Sequence, residues 1–219
     1  TLGATITSNG GSPLTARGTC FSTTSGNATL ALGTCTAEGG TAVSSFTHIR
    51  SGLTASTTYY YRGYATNVYG TAYSSESSFT TQAIPGVTTP TVTSVTNNTA
   101  VLGATLSSTG GTTITARGTC FATTATPVTN CAPEGGTDTG IYTQARSGLS
   151  SGPLYYYRGY VTYTDGSLYT STIYTADDSF TTPTIPSLSS PTSGGVGVTS
   201  VTLGATITSN GGSPLTARG

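Results

Sequence analysis

Apolar side chains alternate with threonine and serine along most of this chain, in short stretches separated by glycine, proline or asparagine. An alternation of period two is typical of a β-strand with one buried face and one solvated face. In the most complete stretch it predicts these strands: Thr91–Thr96, Thr99–Ser107, Thr113–Thr123, Tyr142–Arg146, Leu154–Tyr163, Leu168–Tyr174 and Ser179–Thr182. The pair Asp165-Gly166 is typical of a tight turn between two strands. Turn signals about every 8–12 residues indicate an all-β, two-sheet sandwich without helices.

A long internal repeat organises the chain. Residues 1–18 recur without change at 202–219, and a looser copy begins at Leu102. A period of about 100 residues suits one sandwich domain, so the sequence predicts tandem domains in a linear array. The predicted boundaries are 1–81 for repeat A without its first strand, 82–90 for a proline-containing linker, 91–182 for a complete repeat B, 183–191 for a proline-rich linker, and 192–219 for the start of the next repeat A. Such linkers act as semi-rigid spacers.

The two partial repeats leave one alternative open. Either the chain continues covalently into further repeats, or separate copies complete each other head to tail by donating a strand. The unchanged copy favours continuation, because it indicates one window onto a longer tandem chain. In both cases the expected partners are copies of the same repeat in a linear fibre.

Composition narrows the possible partners further. Charged residues make up only 6% of the chain, the formal net charge is zero, and the seven cations are all arginines. Such a chain has no basic field for nucleic acid or anionic lipid. No apolar run approaches the roughly 20 residues that a membrane span needs. We therefore expect neither a nucleic-acid partner nor a membrane span, and the lack of lysine excludes Lys–Asn isopeptide cross-links.

The four cysteines fall into two pairs, one in each repeat. Cys20 and Cys120 occupy the same position after Thr-Ala-Arg-Gly-Thr, and Cys35 and Cys131 follow them across loops of different length. A metal site or a reactive thiol is the alternative, but the chain has no Cys-x-x-Cys motif and only one histidine. The pattern therefore favours one disulfide in each repeat. Disulfides are typical of an extracellular or cell-surface protein.

Residues suited to catalysis are few. His48 has no histidine counterpart in the second repeat, and no serine or cysteine motif marks a nucleophile. Glu38 and Glu134 share the motif Glu-Gly-Gly-Thr, but no second carboxylate is duplicated beside them, so a turn role is favoured over a catalytic pair. Asp177 and Asp178 lack the further ligands of a calcium loop. The sequence predicts no enzymatic activity, no metal and no cofactor.

Three motifs carry a resemblance to a known family. Thr-Ala-Arg-Gly-Thr-Cys-Phe stands at 15–21 and 115–121, a tyrosine-rich run occupies 51–67, and 70–81 runs from Gly-Thr-Ala-Tyr to Ser-Phe-Thr-Thr. With these motifs the chain resembles the fibronectin type III-like repeats of bacterial surface and secreted proteins. The resemblance implies a tyrosine corner in each repeat, in which a buried tyrosine hydroxyl bonds back to the backbone. The residues concerned are Leu53 with Tyr59, and Leu149 with Tyr155.

Alternation along the tyrosine-rich strands divides their side chains between two faces. If Tyr59 is buried, its neighbours on the strand point to the opposite side, beside an arginine of a neighbouring strand. One interpretation is an exposed contact face for sugars or neighbouring domains. The other, which is favoured, is ordinary cross-strand pairing on a solvated sheet. The predicted face consists of Arg17, Tyr60, Arg62 and Tyr64 in the first repeat and Arg117, Tyr156, Arg158 and Tyr160 in the second.

Covalent glycans are the expected modification. Asn27-Ala28-Thr29 and Asn97-Asn98-Thr99 match the N-glycosylation sequon, in predicted loops. Such matches arise easily by chance in a threonine-rich chain, so O-linked glycans on serine and threonine are favoured. They would help to keep a chain with so few charges soluble.

The sequence as a whole predicts an architectural role. We expect a structural subunit of an extracellular bacterial fibre or surface stalk, built from tandem, disulfide-stapled sandwiches. The alternatives are a carbohydrate-binding adhesin module and a spacer array of a secreted hydrolase.

Overall fold

A computed structural model describes residues 1–166 and 170–219. Strands, turns and bends make up the described residues, with no helix among them. The predicted strand Leu168–Tyr174 begins outside the described residues, which resume at Thr170. The chain divides into two compact units, unit 1 from Thr1 to Ile84 and unit 2 from Pro85 to Gly219.

Unit 1 consists of seven antiparallel strands in two sheets. The smaller sheet pairs β1 with β4, and the larger has the order β3-β2-β5-β6, with β7 also paired to β5. The strands are β1 Leu2–Thr5, β2 Ala16–Ser22, β3 Thr34–Ala37, β4 Ser45–His48, β5 Thr58–Asn67, β6 Gly70–Tyr73 and β7 Ser77–Thr80.

The sandwich of unit 2, formed by β8–β15, has the same arrangement with one additional strand. Its smaller sheet has the order β12-β9-β8, and its larger sheet has the order β11-β10-β13-β14, with β15 also paired to β13. The strands are β8 Gly86–Thr93, β9 Thr99–Ser108, β10 Thr113–Ala122, β11 Ala132–Pro133, β12 Gly140–Ser147, β13 Leu154–Thr164, β14 Thr170–Tyr174 and β15 Asp178–Thr181. Leu102 pairs with Gln144 as Leu2 pairs with His48, so β9 and β12 correspond to β1 and β4.

The core of each unit lies between its two sheets. In unit 2, Leu102 is fully buried among aromatic side chains, and the rings of Tyr155 and Phe180 stack with centroids 5.5 Å apart. Tyr59 and Phe79 stack in the same way in unit 1, 5.6 Å apart. Alternation along the tyrosine-rich strands therefore sends every second aromatic ring into the core, where large rings compensate for the low overall apolar content.

In each unit, one glycine determines how closely the two sheets approach each other. An added Cβ on Gly159 would lie 2.3 Å from the Cβ of Ala104, and one on Gly63 would lie 2.2 Å from the Cβ of Ala4. These distances are far below van der Waals contact, so any larger side chain at Gly63 or Gly159 would force the sheets apart.

The predicted boundary of the first linker was wrong. Residues 86–90 belong to β8, so the interval 82–90 is not a linker throughout. Proline can stand in this strand because β8 is a sheet edge and its register shifts between Thr88 and Thr91, leaving Pro90 without a ladder partner. Proline and glycine are typical both of a linker and of an edge strand with a bulge, so composition alone does not distinguish the two here.

Four short strands follow the sandwich of unit 2: β16 Ser187–Leu188, β17 Thr192–Gly194, β18 Thr202–Gly204 and β19 Ile207–Ser209. β16 pairs with β19, and β17 pairs with β18. Part of the predicted linker 183–191 is therefore also strand. The apolar side chains of this hairpin remain largely in solvent, since Leu203 is 73% exposed, whereas Leu102 at the same position of the repeat is fully buried.

Candidate functional site

Three sets of contacts join separate segments of each sandwich and recur in both units. We call these contacts cross-ties. The first set lies between the sheets, where two arginines of each unit cross. Arg117 of β10 lies over the ring of Tyr142 in the opposite sheet, at 5.1 Å, and Arg146 of β12 lies over the ring of Phe121, at 5.6 Å. In unit 1 the crossed arginines are Arg17 over Phe46, at 5.0 Å, and Arg50 over Phe21, at 5.7 Å.

Each crossed arginine pair is anchored by polar partners. Arg117 Nε donates to Glu134 at 2.9 Å and its Nη1 donates to the carbonyl of Asp138, so the guanidinium holds the turn that follows β11. Arg17 binds Glu38 in the same way, at 2.6 Å. These hydrogen bonds lower the pKa of both glutamates. The predicted turn role of Glu38 and Glu134 is consistent with this geometry.

In each unit, a fully buried threonine accepts hydrogen bonds from the second crossed arginine. Arg146 donates to the hydroxyl and to the carbonyl of Thr119, and the hydroxyl donates to Gln144 Oε1 at 3.1 Å. In unit 1, Arg50 donates to the carbonyl of Thr19 at 2.6 Å. Polar groups buried at this depth stabilise only when they are paired, and here each hydroxyl has two partners.

The second set of cross-ties closes a loop over the outer face of the larger sheet. The disulfide Cys20–Cys35 joins β2 to the paired strand β3, and Cys120–Cys131 joins β10 to the residue before β11, so each disulfide closes the loop that follows β2 or β10. In unit 1, Glu76 accepts hydrogen bonds from Ser25 Oγ at 2.6 Å and from the amide of Gly26 at 2.9 Å, and it lies 3.4 Å from Arg62. The carboxylate thus clasps the loop onto the strand that carries Arg62.

Unit 2 builds the same clasp from different residues. Arg158 donates to the carbonyls of Pro127, at 2.7 Å, and Thr126, at 3.2 Å, while its guanidinium lies 4.1 Å from the ring centroid of Tyr174. Asp177 accepts from the amide of Thr126. The sequence did not identify Glu76 or Asp177 as partners of this loop, because the contact spans about half of each repeat.

The predicted contact face was wrong. Arg17 and Arg117 point between the sheets and are 7% and 8% exposed, so they belong to the inner face. Tyr64 and Tyr160 do point outward, but both are buried, and Tyr64 packs against Ala28 of the disulfide-closed loop. The other members, Tyr60, Arg62, Tyr156 and Arg158, are half-buried, and both arginines clasp the loops. Strand alternation predicts on which side of the sheet a side chain lies, but it does not predict which loop covers that side chain.

The third set of cross-ties consists of the tyrosine corners. Tyr59 accepts a hydrogen bond from the amide of Thr54 at 2.9 Å, and Tyr155 accepts one from the amide of Ser150 at 2.8 Å. Both tyrosines are buried, and Leu149 is buried beside Tyr155, while Leu53 is half-buried.

The sequence missed Arg50 and Arg146, although a signal for them was present. Both precede the same Ser-Gly-Leu motif in their repeats, and a charged residue repeated at one position of a chain with only 6% charged residues indicates a structural role. The sequons lie on loops, with Asn97 exposed and Asn27 half-buried.

Unit 1 should lose stability as the pH falls below the usual histidine pKa of 6.5, because of His48. Its ring nitrogen lies 2.8 Å from the Thr19 hydroxyl and 3.4 Å from Arg50. Burial, and then the charge of Arg50, lower the pKa of His48 below its usual 6.5, against a smaller opposite effect of Glu38. Below 6.5 the unfolded chain therefore binds more protons than the folded one, so the free energy of unfolding decreases as the pH falls toward the folded pKa.

The matched variant is His48→Gln, which supplies the residue that unit 2 has at Gln144. We expect it to flatten the pH dependence of unit 1 in hydrogen-exchange mass spectrometry, while the peptides of unit 2 serve as an internal reference. An unchanged pH slope in this variant would show that another group is responsible.

Among residues 1–166 and 170–219, no group of three or more histidine, cysteine, aspartate or glutamate side chains is arranged to hold a metal ion. Within the same residues there is no helix with the length and apolar character of a membrane span.

The strand order and the tyrosine corners define the class of protein, an all-β chain of two-sheet antiparallel sandwiches that resemble fibronectin type III domains, with one disulfide in each unit. No family model and no curated protein matches the sequence. Among the solved structures to which the chain is similar, two have a TM-score of 0.32. One is a crystal structure of titin domains, 19% identical, covering 56% of this chain and 40% of that chain. The other contains the FN1-FN3 domains of chicken CNTN1, 11% identical, covering 74% of this chain and 56% of that chain. The chain thus spans about half the length of these structures.

Proposed function

We propose that the chain is a structural subunit of an extracellular bacterial fibre or surface stalk, in which sandwich domains of about 100 residues follow one another in a linear array. The observation that supports this proposal best is the repetition of all three cross-ties in both units. A stalk transmits force through every domain in series, so each domain must resist opening by itself. The same reinforcement in each repeat meets that requirement.

The cross-ties are suited to mechanical resistance because they act at different places. The crossed arginines connect the two sheets through the core. The disulfides shorten the chain that can extend, since residues 20–35 and 120–131 cannot be pulled straight. The disulfides also support the extracellular location in this proposal, because disulfides persist in an oxidising compartment.

Glycans are part of the same proposal. The exposed Asn97 and the many exposed serine and threonine side chains offer attachment positions on a surface with few charges. Mass spectrometry of the native protein before and after deglycosylation would show them as a loss of mass.

Immunogold electron microscopy of the producing cells tests the function itself. Antibodies raised against the 219-residue chain should label filaments or stalks that extend from the cell surface. Label confined to the cytoplasm, or to dispersed protein with no filament, would overturn the proposal. A matched serum that has been depleted on the same chain controls for unspecific labelling.

A further inference from the structure

The strand β12 of unit 2 forms an edge of the smaller sheet. It pairs with β9 on one side, and among residues 1–166 and 170–219 no strand pairs with its other side. β8 forms the opposite edge of the same sheet, beyond β9. The free side of β12 therefore borders a sandwich in which both β9 and β8 are in place.

The register of the sheet determines which backbone groups point to the free side of β12. In unit 1, the amide of Ile6 donates to the carbonyl of Ser44, so these two residues form a hydrogen-bonded pair. Gly140 of β12 occupies the position of Ser44, and hydrogen-bonded pairs recur at every second residue of an antiparallel ladder. The even-numbered residues of β12 thus bond to β9, and the odd-numbered residues present their N–H and C=O groups to the free side. These residues are Ile141, Thr143, Ala145 and Ser147.

The other edge strands of this sandwich have features that disfavour pairing with a further strand. β8 contains Pro90 and two shifts of register, and β11 has two residues, one of which is proline. β14 and β15 have only five and four residues. In contrast, β12 has eight residues, an unbroken register and no proline. A long, regular edge strand of this kind is a template for pairing with another strand.

Charge does not protect the edge of β12 either. The chain has no lysine, a residue that often protects sheet edges, and the one charged residue of β12 is Arg146. Its side chain points between the sheets, where it donates to the hydroxyl of Thr119. On the outer face, Ile141 is 75% exposed, and Thr143 and Ala145 are also exposed. The free edge therefore presents uncharged side chains only.

A second copy of β12 fits this edge because the strand is complementary to itself. In an antiparallel pair related by a twofold axis at Thr143, Thr143 lies opposite Thr143 of the other copy, and Ile141 lies opposite Ala145. Threonines already face each other across strands in this chain, since the hydroxyl oxygens of Thr162 and Thr172 are 2.9 Å apart. Such cross-strand pairs stabilise a sheet.

The same register extends a row of apolar side chains and separates the charges. Ala145 pairs with Val101 of β9, so Ile141 of the second copy lies at the end of a row formed by these two residues. Each Arg146 lies opposite a glycine, and not opposite the other arginine, which avoids the cost of facing like charges. A shift of two residues in either direction would place Ile141 opposite threonine or serine and lose the apolar contact.

We propose that β12 is a pairing site for a second copy of this chain, in which two β12 strands join antiparallel and the two three-stranded sheets become one continuous sheet. The contact uses the same surface on both copies, so it closes as a dimer with twofold symmetry. The corresponding strand of unit 1, β4, has only four residues, so we expect the pairing in unit 2. For its biological meaning the inference rests on the proposed function, since the contact joins neighbouring stalks side by side.

Sedimentation equilibrium of the purified 219-residue chain tests the pairing. We expect a reversible monomer–dimer equilibrium with a Kd in the micromolar range, because the interface is small. Thr143→Pro should weaken dimerisation by about 10- to 100-fold, since it removes an N–H that bonds to the other copy, twice by symmetry. The folded monomer accepts this proline because the same N–H takes no part in the ladder with β9. Thr143→Val is the matched control, which keeps the N–H and should change dimerisation only slightly.

A pair of charged variants tests the twofold register. Thr143→Lys places two ammonium groups opposite each other, and Thr143→Glu places two carboxylates opposite each other, so each variant alone should be monomeric. An equimolar mixture should form heterodimers, which native mass spectrometry distinguishes by mass. Circular dichroism melting checks that all variants remain folded. If each charged variant dimerised by itself as well as the wild type does, position 143 would not face itself, and the proposed register would be wrong.

A wild-type chain that stays monomeric through the micromolar range, dimers that Thr143→Pro leaves unchanged, or a charged mixture without heterodimers would overturn the pairing. Cell-surface filaments that carry immunogold label would leave the fibre function standing in that case. Dimers that respond to these variants, in a protein that forms no labelled filaments, would support the pairing and overturn the fibre function.

Discussion

Replacing Leu102 with alanine should lower the free energy of unfolding of unit 2 by about 3 kcal/mol, within the range of 2–5 for buried leucine. Leu102 is 0% exposed and packs at the centre of the cluster around Tyr155 and Tyr157. The truncation removes apolar contacts and leaves a cavity, because the aromatic rings on both sides are held by other contacts and cannot collapse into it.

The chain contains a control with the same local sequence. Leu203 lies in the same Leu-Gly-Ala-Thr motif but is 73% exposed, so Leu203→Ala should change the stability of the monomeric chain by less than about 0.5 kcal/mol. Hydrogen-exchange mass spectrometry in increasing urea resolves the peptides of β9 and β13 from those of unit 1. Equal effects of the two substitutions would mean that burial at Leu102 does not govern the stability of unit 2.

Removing the disulfide of unit 2, with Cys120→Ala and Cys131→Ala together, should cost about 3 kcal/mol, the loop-closure entropy expected for a link of this length. The two cysteines are 11 residues apart. The cost has a second source in the folded state, since the loop that the disulfide closes also supplies the carbonyls of Pro127 and Thr126 to Arg158. We therefore expect the amides of this loop to lose protection before those of the core.

The corresponding double substitution in unit 1, Cys20→Ala with Cys35→Ala, should act on unit 1 alone by a similar amount. Reduction of the wild-type chain with dithiothreitol should reproduce both losses at once. In a force-extension experiment, the reduced chain should unfold to a longer contour length, because residues 20–35 and 120–131 become free to extend. A contour length insensitive to reduction would contradict the proposed mechanical role of these loops.

Much of the fold could be predicted from local sequence, because strand alternation and turn residues act over short distances. The predicted strand Thr99–Ser107 corresponds to β9 at 99–108, and Leu154–Tyr163 corresponds to β13 at 154–164. The start of β8 was missed because proline and glycine mark both a linker and an edge strand with a bulge.

The candidate site was harder to predict, since it consists of contacts between distant segments. Arg17 and Arg117 were assigned to the outer face because they were placed beside outward-facing tyrosines, but the register sets Arg17 opposite Ala65, on the inner face. Neither the partners of these arginines nor those of Arg62 and Arg158 are near them in sequence.

The sequence by itself determined the all-β class, the repeat and the pairing of cysteines within each repeat, because each depends on spacing along the chain. The positions of the tyrosine corners came from the resemblance to the fibronectin type III-like repeats. The tertiary structure alone decided which side of the sheet each arginine occupies and which carboxylate clasps each disulfide-closed loop. These features depend on the register between strands and on the loops that cover them. A shift of one residue would reverse every face, so local pattern cannot specify them.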